Sequence, residues 1–437
     1  MTYEGIKSII LTFLIVLSGT LTWAIWTYQP NYESIQKNNV VNPVALSEAR
    51  ELKKIVKPDQ VVFHIDDQHF GTVDSTYIDK LITSMGKWNL YDIKNNNRRN
   101  EGNGEMLNGN GKVEIIFPDE VPVTLYNKVL NFEETDIPRF SFDRIIINAQ
   151  SEENQEGTIY FASSNSEQIY ISSFSPQHLN DFINQFYKQA NKLNLYFPYE
   201  TANKAKYLPV QETEMVRYRY YPNPLDSDKF KDALFNDPSF VQRSPVEDGE
   251  EFTDDTSRMA VNYGTNMIYY INPTNESEVT IGTNDILKKS IDFVDGHSGW
   301  TDAYRYSYKD DLNRQVIFRL YSSDGYPIFN PFGMSEIYQM WSQNEINQYI
   351  RPRFNLELPL QPDMNTVTVP SGQTALDFIQ ASPNFNPDLF EDITLGYNMI
   401  SDPKDSSLIL LEPAWFYLYQ NNWQQITFEG GINNGLE

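Results

Sequence analysis

Residues 8–28, SIILTFLIVLSGTLTWAIWTY, run without one charged side chain in a chain that is otherwise acidic and polar. As a helix this stretch would be about 30 Å long, the thickness of a bilayer's hydrocarbon core. A cleavable export signal has a shorter apolar core followed by small residues. Here the exit is Trp23-Ala24-Ile25-Trp26-Thr27-Tyr28, bulky rings that block a peptidase and suit a membrane interface. No Cys follows the run, so lipid attachment through a cysteine is excluded. The reading is a retained transmembrane helix over 8–28, a cytoplasmic tail over 1–7 and a polar tether over 29–45. Lys7 and the α-amino group precede the span with Glu4, and Glu33 and Lys37 follow it. That bias is small, but a short leading tail stays in the cytoplasm. The expected localisation is therefore the cell membrane, single-pass, with the bulk of the chain extracytoplasmic.

The remainder is large enough for two or three domains with cores of their own. With 40% hydrophobic residues and a formal net charge of -25, it reads as folded and acidic. Phosphate backbones would be repelled, so no nucleic-acid partner is expected. The chain has no cysteine, which removes disulfides, thiolate metal sites and cysteine nucleophiles.

The first folded region begins with a helix near 47–56 and a strand at 61–66. A helix capped by Asp74 or Ser75 follows, with Ile78, Leu81, Ile82 and Met85 on one face. Residues 94–111, KNNNRRNEGNGEMLNGNG, read as a flexible loop. Strands are expected at 113–117, 121–126, 144–148, 158–162 and 168–172. Ser175-Pro176 then starts the clearest amphipathic helix, with Leu179, Phe182, Ile183, Phe186, Ala190 and Leu193 as its stripe. The Pro-marked segment 197–209 reads as a domain boundary.

Beyond it a helix-then-hairpin order recurs. One unit has the strand MVRYRYY (215–221), a helix with Phe230, Leu234 and Phe235, an acidic loop at 247–255 and two strands around Tyr263-Gly264-Thr265. The next has a helix from Asp285 to Val294, a hairpin over 303–321 and a helix near 335–349. A helix around Ala375–Ile379 and a hairpin turning at Asn421-Asn422 end the chain. No βαβ spacing repeats, so the class is α+β, antiparallel sheets with packed helices in several domains. The expected domains are 46–200 (N-terminal extracytoplasmic), 201–283 (central) and 284–437 (C-terminal).

Constellations that could carry chemistry are sparse. DGHSGWTD (295–302) groups Asp295, His297, Ser298 and Asp302, but triad members are usually far apart in sequence and no G-x-S-x-G elbow is present. It reads as a turn in which Gly296 and Gly299 supply special backbone angles and Trp300 packs. FHIDDQHF (63–70) offers His64, Asp66, Asp67 and His69 at a spacing matching no metal motif. His64 is read as a packed or surface histidine on a strand. The acidic run 247–255 does not fit a calcium loop and reads as solvated. No catalytic residue, cofactor site or metal site is assigned, and the chain is read as a non-enzyme. Its 28 Tyr, 26 Phe and 7 Trp either fill sheet faces or, where exposed, anchor a protein or glycan contact.

Within the span, Gly5, Ser8, Thr12, Ile15, Gly19, Thr22 and Trp26 are spaced 3-4-3-4-3-4, one seam of mostly small or weakly polar residues. Lipid provides no hydrophobic drive for helix association, so partners use small residues and hydroxyl hydrogen bonds. The seam Ser8, Thr12, Ile15, Gly19, Thr22, Trp26 is read as partner-facing. The competing reading is that the hydroxyls bond to their own helix's carbonyls.

The opening YEGIKSIILTFLIVLSGTLTWAIWTYQPNYE (3–33), with MVRYRYYPNP (215–224), GHSGWTDAYRY (296–306) and VIFRLYSSDGYPIF (316–329), resembles the YycH family over nearly the whole length. The central loops, 94–111 above all, carry none of the likeness. The resemblance implies a regulatory, non-catalytic role at the outer face of the cytoplasmic membrane of Gram-positive bacteria. It implies a YycI-like single-span partner and a WalK-like sensor histidine kinase controlling cell-wall metabolism, contacted partly through transmembrane helices. It also implies three outer domains, the central and C-terminal ones YycI-like. The alternative from another class is an anchored module that binds or cleaves wall glycan.

Overall fold

The computed structural model describes residues 3–27, 49–96, 109–150, 155–273, 285–297, 299–342, 345–360, 365–383 and 385–428. It falls into two units, Met1–Asn42 and Pro43–Glu437. The expected tether 29–45 and most of the expected loop 94–111 lie outside the described residues.

The first unit holds one helix, Tyr3–Thr27, 25 residues long. Its side chains are described over 11–23, and every one of them is exposed. No helix among the described residues is long and apolar enough to cross a membrane.

In the second unit the chain first builds a ten-stranded sheet from β1 (Gln60–Ile65), β2 (Gln68–Thr72), β3 (Asn89–Asn95), β4 (Lys112–Pro122), β5 (Asn131–Phe132), β6 (Ser141–Asn148), β7 (Gly157–Ser163), β8 (Ser166–Phe174), β9 (Asn194–Glu200) and β10 (Ala205–Pro209). The order is β10-β9-β2-β1-β4-β6-β7-β8-β3-β5, antiparallel except for β3 with β5. Alternation sends Val61, Phe63, Val113, Ile115, Ile145 and Ile147 into the main core. That face is covered by two helices. Ser75–Met85 is capped by the Asp74 carboxylate, which accepts from the Tyr77 amide, and buries Ile78, Leu81, Ile82 and Met85. Pro176–Gln185 is capped by Ser175 and buries Leu179 and Phe182. Trp88 locks the layer, stacked 4.3 Å from Phe174 and edge-on to Phe182. The opposite face carries Val62, Ile116, Tyr196 and Tyr207.

Three expectations change here. The helix near 47–56 is a single turn, Leu52–Ile55, because Pro58 disfavours helix in the residue before it. The strand expected at 121–126 ends at Pro122, which leads into one helical turn, Val123–Tyr126. The segment 197–209 is no linker: β9 and β10 pair from Glu200↔Ala205 to Tyr196↔Pro209, so the first sheet passes the expected boundary at 200. Pro198 fits because β2 pairs with β9 only over Asn194–Tyr196, leaving that edge free.

The rest adds β11 (Thr213–Tyr220), β12 (Pro222–Pro224), β13 (Gln242–Val246), β14 (Gly249–Thr253), β15 (Arg258–Asn262), β16 (Met267–Ile271), β17 (Tyr304–Asp310), β18 (Gln315–Leu320), β19 (Ile328–Phe329), β20 (Glu336–Trp341), β21 (Ile346–Pro352), β22 (Phe354–Leu356), β23 (Asn365–Val369), β24 (Phe390–Ser401), β25 (Ile409–Tyr419) and β26 (Asn422–Gln425). Eight strands form an antiparallel sheet, β13-β14-β15-β16-β21-β20-β18-β17. Six form a mixed sheet, β19-β24-β25-β11-β23 with β26 on β25, and β12 pairs with β22. The eight-stranded sheet joins segments 201–283 and 284–437 through β16 and β21. Helices Ser227–Leu234, Ile286–Gly296 and Gly372–Gln380 match the expected positions.

The helix expected near 335–349 is instead the hairpin β20–β21. Ile337, Gln339 and Trp341 alternate inward, and Gln339 is buried because its amide donates to the Ser290 carbonyl (3.3 Å). The acidic run 247–255 is a β13–β14 hairpin, not a loop. The last hairpin turns at Gln420-Asn421, one residue earlier than expected, both with positive φ.

Candidate functional site

DGHSGWTD closes the helix Ile286–Gly296 rather than forming a catalytic cluster. The Asp295 carboxylate accepts from Trp300 Nε1 (2.6 Å). His297 stacks on Phe293 at 4.0 Å and bonds through Nδ1 to the Phe293 carbonyl; burial pushes its imidazole below the ordinary value. Asp302 accepts from the amides of Leu356 (2.6 Å) and Ala303 (2.8 Å). Gly299 has φ +70, whereas Gly296 has an ordinary helical conformation, so the turn needs one special glycine, not two. Ser298 lies outside the described residues.

The acidic hairpin is likewise committed locally. Buried Glu250 pairs with Arg243, and the Asp254 carboxylate accepts from the amides of Ser257 and Thr256.

FHIDDQHF is the β1–β2 hairpin. Asp66 and Asp67 form its turn with φ +48 and +60 and are exposed. His64 is buried and sits opposite His69 in the register, Nδ1 to Nδ1 at 2.7 Å. Its Nε2 is 3.0 Å from the buried Glu114 carboxylate. Tyr207 Oη and Arg144 Nη1 donate to that carboxylate, each at 2.7 Å. Alternation puts all of these on the sheet face opposite the helices.

A second polar cluster joins the first sheet to the rest of this unit. Lys204 and Lys206 meet Asp392 of β24 at 3.1 and 2.8 Å. Burial pushes the Asp392 carboxyl up, and the two ammonium groups more than reverse that, leaving it below the usual carboxylate range. Nearby, Tyr321 donates to Asp59 (2.8 Å), Arg305 to Ser75 Oγ (2.9 Å) and Tyr306 to the Glu120 carbonyl (2.8 Å). Burial raises Asp59. Gly325, at φ +98, lies so close to Val73 that a Cβ there would be 2.2 Å from its carbonyl oxygen. The cavity lined by Asp59, Lys206, Tyr326 and Trp415 is about 60 Å³, room for ordered water but far below a ligand pocket. The cluster therefore holds the two parts in one arrangement. Sequence reasoning missed it, although Lys204, Lys206 and Leu208 alternate as one strand face.

The aromatic runs mostly fill sheets: Tyr218, Tyr220, Trp415 and Phe416 are buried. Phe240 (78% exposed), Phe332 (70%) and Leu358 (86%) stand out on separate segments. Of the seam, Thr12, Ile15, Gly19 and Thr22 fall on described side-chain positions, and nothing approaches within 4 Å of a Cβ at Gly19. Thr22 Oγ1 donates to the Ser18 carbonyl (2.9 Å), as the competing reading has it. The side chains of Ser8 and Trp26 lie outside the described set.

Two family models cover the chain: the YycH protein N-terminal domain over 4–191 and the YycH protein C-terminal domain over 203–430. A curated relative, the "Two-component system WalR/WalK regulatory protein YycH" of Bacillus subtilis (strain 168), is 25% identical over 460 residues, covering 100% of both chains. The crystal structure of YycH from Bacillus subtilis superposes with a TM-score of 0.72 at 22% identity, covering 87% of this chain and 98% of that one, which establishes the shared α+β fold. The chain belongs to the YycH family.

Proposed function

We propose that the chain is a membrane-anchored, non-catalytic regulator of a WalK-like sensor histidine kinase, acting with a YycI-like single-span partner on the control of cell-wall metabolism. The observation that carries this is full-length similarity to a relative named as a WalR/WalK regulatory protein. The helix Tyr3–Thr27 supports the anchoring part. From Leu11 to Trp23 its side chains are exposed, with Leu11, Phe13, Ile15 and Val16 about 60% exposed or more. A row of apolar residues that its own chain leaves uncovered is matched to lipid or to another helix. The tail 1–7 is placed in the cytoplasm and residues from 29 onward outside, in the arrangement 46–200, 201–283 and 284–437. The two C-terminal segments share one sheet in this reading. The groups best suited to chemistry, Asp295, His297 and Glu250, are each engaged in packing.

The transmembrane contact is assigned to Ser8, Thr12, Ile15, Gly19, Thr22 and Trp26. Single cysteines placed through 8–26 should crosslink to the partner with helical periodicity, peaking on that seam. Crosslinks without periodicity, or none, would remove the seam from the account.

A further inference from the structure

The cross-strand histidines are arranged to take a metal ion. Glu114 is buried and receives three donors: Arg144 Nη1 at 2.7 Å, Tyr207 Oη at 2.7 Å and His64 Nε2 at 3.0 Å. An ionised carboxylate only accepts, so the His64 proton sits on Nε2. Its Nδ1 is therefore an unprotonated lone pair, aimed at His69 Nδ1 2.7 Å away. A histidine whose far nitrogen donates to a fixed carboxylate, while the near one is bare, is the usual outer arrangement of a metal-ligating imidazole. Two imidazole nitrogens at right angles on one ion, each at about 2.0 Å, are about 2.8 Å apart, against about 3.3 Å for a tetrahedral pair. The observed spacing is close to the right-angled case.

We propose that His64 Nδ1 and His69 Nδ1 form a site for a divalent ion of tetragonal preference, copper(II) or nickel(II), which displaces the single proton shared between them. Glu114, held by Arg144 and Tyr207, is its positioning residue. His64 is buried, but His69 is only partly so, which opens the site on one side. Tyr207 packs its ring 5.5 Å from both imidazole centroids and closes another. Among the described residues no group of three or more His, Cys, Asp or Glu is placed to hold a metal. The remaining positions on the ion therefore go to water, and the site is an exchangeable one. The net charge of -25 raises the local concentration of cations.

The test is titration of the full chain in detergent micelles with copper(II), followed by electron paramagnetic resonance, and with nickel(II), followed by calorimetry. The expected result is one ion per chain with hyperfine coupling to two nitrogens. His69→Gln, at a partly exposed position, should lose the two-nitrogen signal and weaken binding by about a hundredfold. Glu114→Gln should weaken it about ten- to a hundredfold while leaving the two nitrogens in place. His178→Gln should change nothing. No stoichiometric binding, or binding that His69→Gln leaves intact, would overturn the proposal and leave the pair as a hydrogen bond between two strands.

Discussion

Asp392→Asn should destabilise the outer part by about 3–5 kcal/mol, as measured by urea unfolding of the full chain in detergent at neutral pH. The substitution keeps the side chain's size and removes its charge. Lys204 and Lys206 would then stay buried with neither of their 3.1 and 2.8 Å contacts to a carboxylate. Asp59 remains only as a longer-range counter-charge to both. Because the pair bridges the first sheet and the six-stranded sheet, the loss should appear as loosening between them as well as a lower midpoint. The difference from the parent chain should depend on pH. The Asp392 carboxyl lies below its unfolded value in the folded protein, so its contribution is complete above about pH 4 and disappears as pH falls through the folded value. Lys204 is lowered by burial, but Asp392 and the carboxylates beyond it reverse this and leave it above its usual value. Its share is present at neutral pH and disappears as pH rises through that folded value. A difference that stayed constant from neutral to strongly acidic pH would show that charge is not what the site supplies.

Replacing residues 8–28 with an unrelated apolar helix of equal length should abolish control of the kinase while the outer part still folds. The described side chains of this helix are exposed, and residues 1–42 form a unit separate from 43–437. No core contact therefore depends on their identity. The replacement keeps the anchor and removes only the pattern Thr12, Ile15, Gly19, Thr22 that a partner helix would read. Kinase autophosphorylation in membranes should match that of a strain lacking the chain. Full control by the replaced chain would move recognition wholly to the outer part.

Elements with local signals were legible. The cap at Asp74, Ser175-Pro176, Asp285 and Ser371 each marks a helix that forms. So was the paired strand content of 303–321. Where a long-range contact decides, sequence periodicity fails. In EIYQMWSQNEINQYI, Ile337, Met340 and Trp341 fit a helical stripe. The strand reading needs Gln339 inside, and only Ser290 on a distant helix makes that tolerable. The prolines at 198 and 209 suggested a linker, but they sit where neighbouring pairing has run out. The acidic run at 247 looked solvated because its buried member, Glu250, has its partner Arg243 across the turn. The junction cluster and the Glu114 network were invisible for the same reason. Their members come from segments up to two hundred residues apart, and charge type alone does not say which lysine meets which carboxylate.

Crosslinking in intact membranes, followed by recovery of the tagged full chain and identification of what comes with it, tests the central claim most directly. The account predicts a sensor histidine kinase together with a second single-span protein, both lost when residues 8–28 are replaced. Recovery of the chain with neither, or with wall glycan alone, would contradict it.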